Sequence, residues 1–312
     1  MTSPKRVDLL GLGIAPVDFF VTMAEHPARG LKINGIPESH LIAGGGPIPT
    51  ALCTFSRLGG GKAALIAPLG DDSWADFARQ ELDRFGVDHS RCIVRKKCPT
   101  ALAFAWIEQP SSARTIVLDA PPRLYLKPAD INTAHLPHPR LLHLDGRHIE
   151  AAVKLARWGR KVGAKIMLDV GSVRNRVDDL FPFLDYLVCA EEYALHYFGA
   201  RSVLRAMFGF RALGIPEVVI TCGTAGSYGV DAGGQPIFQK AYKVAAVDVT
   251  GAGDVFHGAY LFGIRKKWDL AYKLKFASAA AALKCRKRGA RDGIPTFDET
   301  ITFMKGHRTF YA

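Results

Sequence analysis

Short apolar runs rich in Val, Ile and Leu alternate with longer stretches of helical period along most of the chain. The runs at 7–12, 63–67, 141–144, 166–170, 184–189 and 218–222 are short enough to be buried strands. Helical spacing predicts helices over 49–58, 73–85, 149–162, 191–198, 202–213, 253–264 and 270–284, with Trp74, Phe77, Leu82 and Phe85 on one side of the second. Two further strands are expected at 227–230 and 242–247. From residue 141 onward, strand and helix alternate, which predicts a parallel, doubly wound α/β sheet with helices on both faces. The early part differs. Residues 15–43 have few helix signals, and 95–120 read as a hairpin with strands at 101–107 and 115–118 about a loop at 109–112. The two segments are expected to pair as a small β-sheet lid on one domain spanning 1–312. Ligands of open α/β sheets bind at the carboxyl ends of the strands, where such a lid would close.

The 312 residues are 48% hydrophobic, enough for a sizeable core. A net charge of +12 favours anionic ligands. The one dense basic run, Lys284, Arg286, Lys287, Arg288 and Arg291, follows an Ala-rich helix and lacks interleaved aromatics, so no nucleic-acid partner is expected. No apolar run is long enough to span a bilayer, and no membrane partner is expected. The six cysteines form no Cys-x-x-Cys pair, which points to a reduced, cytoplasmic compartment.

The most informative stretch is DVTGAGDVF at 248–256, which follows a strand and opens a helix. Gly251, Ala252 and Gly253 are small enough for the backbone to approach a phosphate, and helix N-termini bind anions. Asp254 then falls in the first turn, where it either complements the helix dipole or accepts the proton of an acceptor hydroxyl. An aspartate is a weak base, which suffices for phosphoryl transfer because its transition state is loose.

This segment resembles the C-terminal signature of the ribokinase-like (PfkB) carbohydrate kinases, and the resemblance runs along nearly the whole chain. Gly11-x-Gly13 with Asp18 is similar to the family's first strand and sugar-binding Asp. The stretch Gly44, Gly45, Gly46, Pro47 with Thr50 and Ala51 resembles its substrate loop, and Thr221-x-Gly223-x-x-Gly226 its nucleotide turn. Leu142 to His148 is similar to a segment of ketohexokinases. Residues 253–259, 281–285 and 293–295 are similar to sulfofructose kinases. The resemblance implies a Rossmann-like core, a lid that mediates a homodimer, ATP with Mg²⁺, and transfer to a sugar hydroxyl, with K⁺ as an optional monovalent cofactor. It makes Asp254 the base and Gly251, Ala252 and Gly253 the anion hole. Asp18, Gly45 and Gly46 fall at the sugar, and Thr221, Gly223, Gly226, Thr250, Ser278, Ala282 and Gly289 on the nucleotide side. Two departures stand out. Pro49 occupies the place of a sugar-contacting Asn. The magnesium-associated Asn-x-x-Glu is absent from Ala190-Glu-Glu-Tyr193, where Glu191 or Glu192 could act through water.

Gly59 to Lys62 lacks the spacing of a P-loop and reads as a turn. Lys32, Arg114 and Arg147 could converge under the lid, and Lys32 with Arg147 is expected to grip an anionic group on the sugar. His135, His138, His143 and His148 cluster in sequence as loop histidines or, less simply, a metal site. An ATP-dependent kinase of a ketose or related sugar, with anionic (sulfo- or phospho-) sugars among the candidates, is the favoured reading. A nucleoside kinase of the same fold and a non-catalytic nucleotide or sugar sensor are the alternatives.

Overall fold

The computed structural model describes residues 6–26, 29–30, 32–37, 39–108 and 114–307. Its strands are β1 (Arg6–Leu12), β2 (Val17–Met23), β3 (Leu41–Gly44), β4 (Ala63–Ile66), β5 (Pro68–Leu69), β6 (Ile93–Val94), β7 (Leu102–Glu108), β8 (Arg114–Asp119), β9 (His138–Leu144), β10 (Lys165–Val170), β11 (Tyr186–Ala190), β12 (Glu217–Thr221), β13 (Gly226–Val230) and β14 (Ile237–Lys240). Its helices are α1 (Pro47–Arg57), α2 (Ser73–Asp83), α3 (Ile149–Lys161), α4 (Glu191–Phe198), α5 (Val203–Ala212), α6 (Ala252–Arg265), α7 (Leu270–Lys284) and α8 (Phe297–Gly306).

Eight strands form one sheet in the order β14-β13-β12-β11-β10-β9-β1-β4, parallel from β4 to β12 and antiparallel at the β13–β14 edge. Alternation along each strand divides the core. Leu9, Leu141, Met167 and Val188 face α1, α2, α6, α7 and α8, whereas Leu10, Leu142, Leu168 and Leu187 face α3, α4 and α5. All six cysteines are free thiols.

The second sheet has the order β3-β2-β7-β8. Its centre is a parallel pairing between the two early segments, Val17↔Leu102 through Met23↔Glu108. The hairpin strands pair antiparallel, Leu102↔Asp119 through Ile107↔Arg114, and the loop expected at 109–112 lies outside the described residues. Phe19 of β2 meets Trp74 of α2 edge-on at 5.0 Å and so ties this sheet to the core.

Residues 242–247 are not a strand. At its end, Val247 N–H donates to Cys285 O at 2.7 Å, as Asp248 N–H does at 3.1 Å, which ties the segment to the end of α7. The last strand lies earlier, at β14, where a Cβ on Gly226 would come within 2.1 Å of Gln239 O. The chain also carries α8, which was not anticipated. Its start is a capping box in which Thr296 Oγ1 accepts from Glu299 N–H at 3.3 Å and Glu299 Oε2 accepts from Thr296 N–H at 2.7 Å.

Candidate active site

Helix α6 begins at the carboxyl edge of the main sheet, capped by Gly251 in a left-handed conformation (φ 75°). A Cβ there would sit 2.8 Å from Ala290 Cβ, so glycine is required for both angle and space. Ala252 N–H reaches Val249 O at 3.2 Å, whereas a Cβ at Gly253 would meet nothing within 4 Å. The first turn is thus open towards Gly253, where helical N–H groups have no intrahelical acceptor. Asp254 is half-buried beside this opening. Burial raises its pKa, and His257, Arg114, Lys284 and Arg291 pull it back down.

Asp18, on β2, approaches from the small sheet. Burial raises its pKa to about 7, offset by Arg291 and reinforced by Asp254. Gly45 makes this possible, because a Cβ there would overlap Asp18 Oδ1 at 2.0 Å. Gly46 adopts φ 91° as the cap of α1, with Pro47 at its first position. Arg291 underlies the loop. It is 2% exposed, its Nη2 donates to Gly45 O at 2.7 Å and its Nε to Thr50 Oγ1 at 3.4 Å. The raised pKa gives Asp18 a signed effect on stability. Between the unfolded value near 3.8 and about 7, only the folded chain keeps the proton, so stability falls as pH rises through that window and then levels. Asp18→Asn removes the penalty. It is expected to melt a few degrees above the parent at pH 8 and no higher at pH 4; an equal difference at both would refute this.

The third wall comes from β9 and β10. After β9 the chain reverses through Gly146 (φ 68°) and His148 (φ 49°), while Asp145 Oδ1 accepts from Arg147 N–H at 3.0 Å. This throws Arg147 over the strand ends, with its Nε 3.8 Å from Asp145 Oδ2 and without a hydrogen bond among the described residues. Arg174, which sequence reasoning missed, donates from Nη1 to Asp145 O at 2.6 Å. Arg147's pKa is lowered by burial first and by Arg174 second, so two guanidinium groups share one corner. Lys32 is exposed on the β2–β3 connection, and Arg114 at the start of β8 is close enough for its charge to act on Asp254 and Lys284.

The histidines do not converge. His138 meets Trp158 edge-on at 5.9 Å, and His148 Nδ1 accepts from Leu126 N–H at 3.1 Å. His143 is fully buried, and burial lowers its pKa to about 3. It stacks at 6.0 Å on His257, which lies behind Asp254 with Nδ1 2.7 Å from Gly253 O and Nε2 3.4 Å from Asp169 Oδ1. Burial raises Asp169 to about 6.

On the other side lie the residues expected at the nucleotide. Thr221 ends β12 and donates from Oγ1 to Cys189 O at 3.3 Å, and the turn that follows uses Gly223 (φ 56°) and Gly226 (φ 128°). Ser278 and Ala282 are one turn apart on α7, both 8% exposed and both small. Gly289 (φ 75°) donates its N–H to Asp248 Oδ2 at 2.8 Å, and the buried Thr250 Oγ1 has no partner among the described residues.

Among the described residues, no group of three or more His, Cys, Asp or Glu could hold a metal ion. Glu191 opens α4 at the carboxyl end of β11, and its charge acts on Cys222 in the neighbouring turn. Mg²⁺ needs few protein ligands when it is carried by phosphates. Glu191 or Glu192 at this edge would serve a nucleotide-borne Mg²⁺ through water, and among the described residues there is no set for a caged metal.

Residues 12–297 match the family described as pfkB family carbohydrate kinase. The chain is 27% identical over 308 residues to a ribokinase of Haemophilus influenzae, covering 96% of this chain and 99% of that protein. It is 24% identical over 335 residues to a 5-dehydro-2-deoxygluconokinase of Bacillus velezensis, covering 98% and 96%. Its fold is similar to that of a ribokinase from Thermotoga maritima, with a TM-score of 0.84 at 22% identity over 96% of this chain and 99% of that one.

Proposed function

The chain belongs to the pfkB family of carbohydrate kinases and is an ATP-dependent sugar kinase, and from that premise we propose that its acceptor is a ketose or related sugar bearing an anionic group. What supports this is the corner at β9 and β10, where Arg147 and Arg174 face the cleft with Arg147 Nε unsatisfied. Two half-buried like charges in one corner are unfavourable, and a carboxylate, phosphate or sulfonate between them relieves this. Lys32 would approach the same group from the lid side. The relative named 5-dehydro-2-deoxygluconokinase has a sugar acid in its name, in line with this reading.

In this reading the sugar lies between the small sheet, acting as a lid, and the strand ends, with Asp18, Gly45 and Gly46 at its hydroxyl groups. Asp254 accepts the proton of the attacking hydroxyl as its oxygen bonds the γ-phosphorus and ADP departs with the bridging oxygen. Burial raises the proton affinity of Asp254, which suits it to that role. The first turn of α6, at Gly251, Ala252 and Gly253, meets the phosphoryl oxygens. Thr250 Oγ1, Thr221, Gly223, Gly226, Ser278, Ala282 and Gly289 would border the nucleotide, and a bound Mg²⁺ would supply charge neutralisation there. Residues 1–312 form one domain with the lid built from 15–43 and 95–120. The lid would join two copies, because β8 exposes Ile116, Val117 and Leu118 at an edge that pairs with no further strand among the described residues; a monomer by sedimentation would discard this part.

Arg147→Ala and Arg174→Ala are each expected to raise KM for an anionic acceptor about 10–100-fold, the worth of one charge-assisted contact. KM for its neutral analogue should barely change. Equal effects on both acceptors, or none, would sink the anionic grip.

A further inference from the structure

Lys284, the last residue of α7, has no exposed surface. An ammonium group is seldom fully buried without a task, since removing it from water costs far more than burying a methionine of the same length. Its Nζ donates to the main-chain oxygen of Asp248 at 2.8 Å. Asp248 opens the turn that leads into α6, and every polar group it has is engaged. Its N–H goes to Cys285 O at 3.1 Å, its Oδ1 accepts from Thr250 N–H at 2.8 Å and its Oδ2 from Gly289 N–H at 2.8 Å. Lys284 holds the one remaining group, the carbonyl. The chain also folds tightly back over it, because a Cβ on Gly293 would lie 2.4 Å from Lys284 O.

The charged neighbours of this ammonium are Asp248, Asp254 and Arg114, with the Cys285 thiol beside it. Burial works against its protonation, and the carboxylates of Asp248 and Asp254 work for it. A fixed positive charge thus lies beneath the turn whose upper side is the anion-binding start of α6.

We propose that the Lys284 ammonium is a built-in monovalent cation of the phosphoryl-transfer site. It holds the Asp248 carbonyl in place, adds positive charge under the anion-binding turn, and frees the enzyme from added K⁺ or NH₄⁺. Lys284 is a positioning residue, since it acts through the 248–251 turn. Its catalytic consequence rests on the kinase reading, whereas its effect on binding a triphosphate does not.

The test compares the parent, Lys284→Met and Lys284→Ala in tetramethylammonium, potassium and ammonium chlorides at matched ionic strength. Turnover is measured, and affinity for the non-hydrolysable ATP analogue AMP-PNP is measured by calorimetry. The parent should perform alike in all three salts. Lys284→Met, whose side chain fills the space without charge, should lose about 10–100-fold in turnover in every salt and bind AMP-PNP more weakly. Lys284→Ala should show the same loss in tetramethylammonium and recover in potassium or ammonium, which fit the vacated space. A parent that needs potassium would overturn the proposal. So would a Lys284→Met enzyme that matches the parent, or a Lys284→Ala enzyme equally impaired in every salt. If the variants fail to fold, the salt response of the parent still decides. A parent that binds AMP-PNP but phosphorylates no sugar would count against the kinase reading alone, with the calorimetry still reporting on Lys284.

Discussion

Asp254→Asn is expected to lower turnover about 10²–10⁴-fold, the range for removing a general base. Asparagine keeps the size and shape of the aspartate at the first turn of α6 but cannot take the acceptor's proton. Burial raises the proton affinity of Asp254, and the charges of His257, Arg114, Lys284 and Arg291 act in the opposite direction. Removing its charge should leave triphosphate binding intact or tighten it, because a carboxylate beside the γ-phosphoryl repels it. Single-turnover kinetics with calorimetric nucleotide binding separates the two. A variant that turns over within threefold of the parent would show that positioning alone carries the reaction.

Arg291→Met should have the largest effect on the fold near the site. Arg291 comes from a segment far along the chain from the 44–46 loop it supports, and it is 2% exposed. Its Nη2–Gly45 O bond at 2.7 Å sets the loop's position, and Gly44 lacks a side chain where Nη1 lies: a Cβ would be 2.2 Å from it. Its charge also lowers the pKa values of Asp18 and Asp254, both pushed up by burial. Losing it leaves two half-buried carboxylates less compensated and the Gly45 carbonyl without this donor. The expected cost is about 3–5 kcal/mol of stability, as for other buried charges stripped of a partner. KM for the sugar should rise roughly tenfold or more as the loop loosens. Arg291→Lys keeps the charge without the planar fork and should fall between. Thermal denaturation and acceptor kinetics check this, and a methionine variant that melts with the parent would contradict it.

Much of this arrangement is legible in the sequence. The runs at 141–144, 166–170 and 218–222 lie inside β9, β10 and β12, or overlap them closely, because buried parallel strands are continuous apolar segments. The start of α6 was readable for a local reason: small residues followed by an acidic one at a helix entrance. What the sequence concealed was direction. The basic run beginning at Lys284 reads as a solvated helix end. Arg286, Lys287 and Arg288 are indeed exposed, but its two ends, Lys284 and Arg291, are buried, one on Asp248 O and the other on Gly45 O. No periodicity marks this, since residues 285–293 form an irregular reversal held by Asp248. Arg174 was hidden likewise, in a loop after β10 with no motif. The misplaced strand at 242–247 had the right residue types, yet its partner is a helix end, which composition does not distinguish from a strand. Thr296 with Glu299 three residues on is a capping-box pattern that could have marked α8, and sequence reasoning missed it.

The most direct test of the central claim is ADP release with ATP and Mg²⁺ across neutral ketoses, aldoses, sugar phosphates, sugar sulfonates, sugar acids and nucleosides, with Asp254→Asn as the control. The account predicts turnover on an anionic ketose or sugar acid that collapses in the Asp254 variant. Turnover confined to nucleosides, or ATP bound with no acceptor phosphorylated, would contradict it.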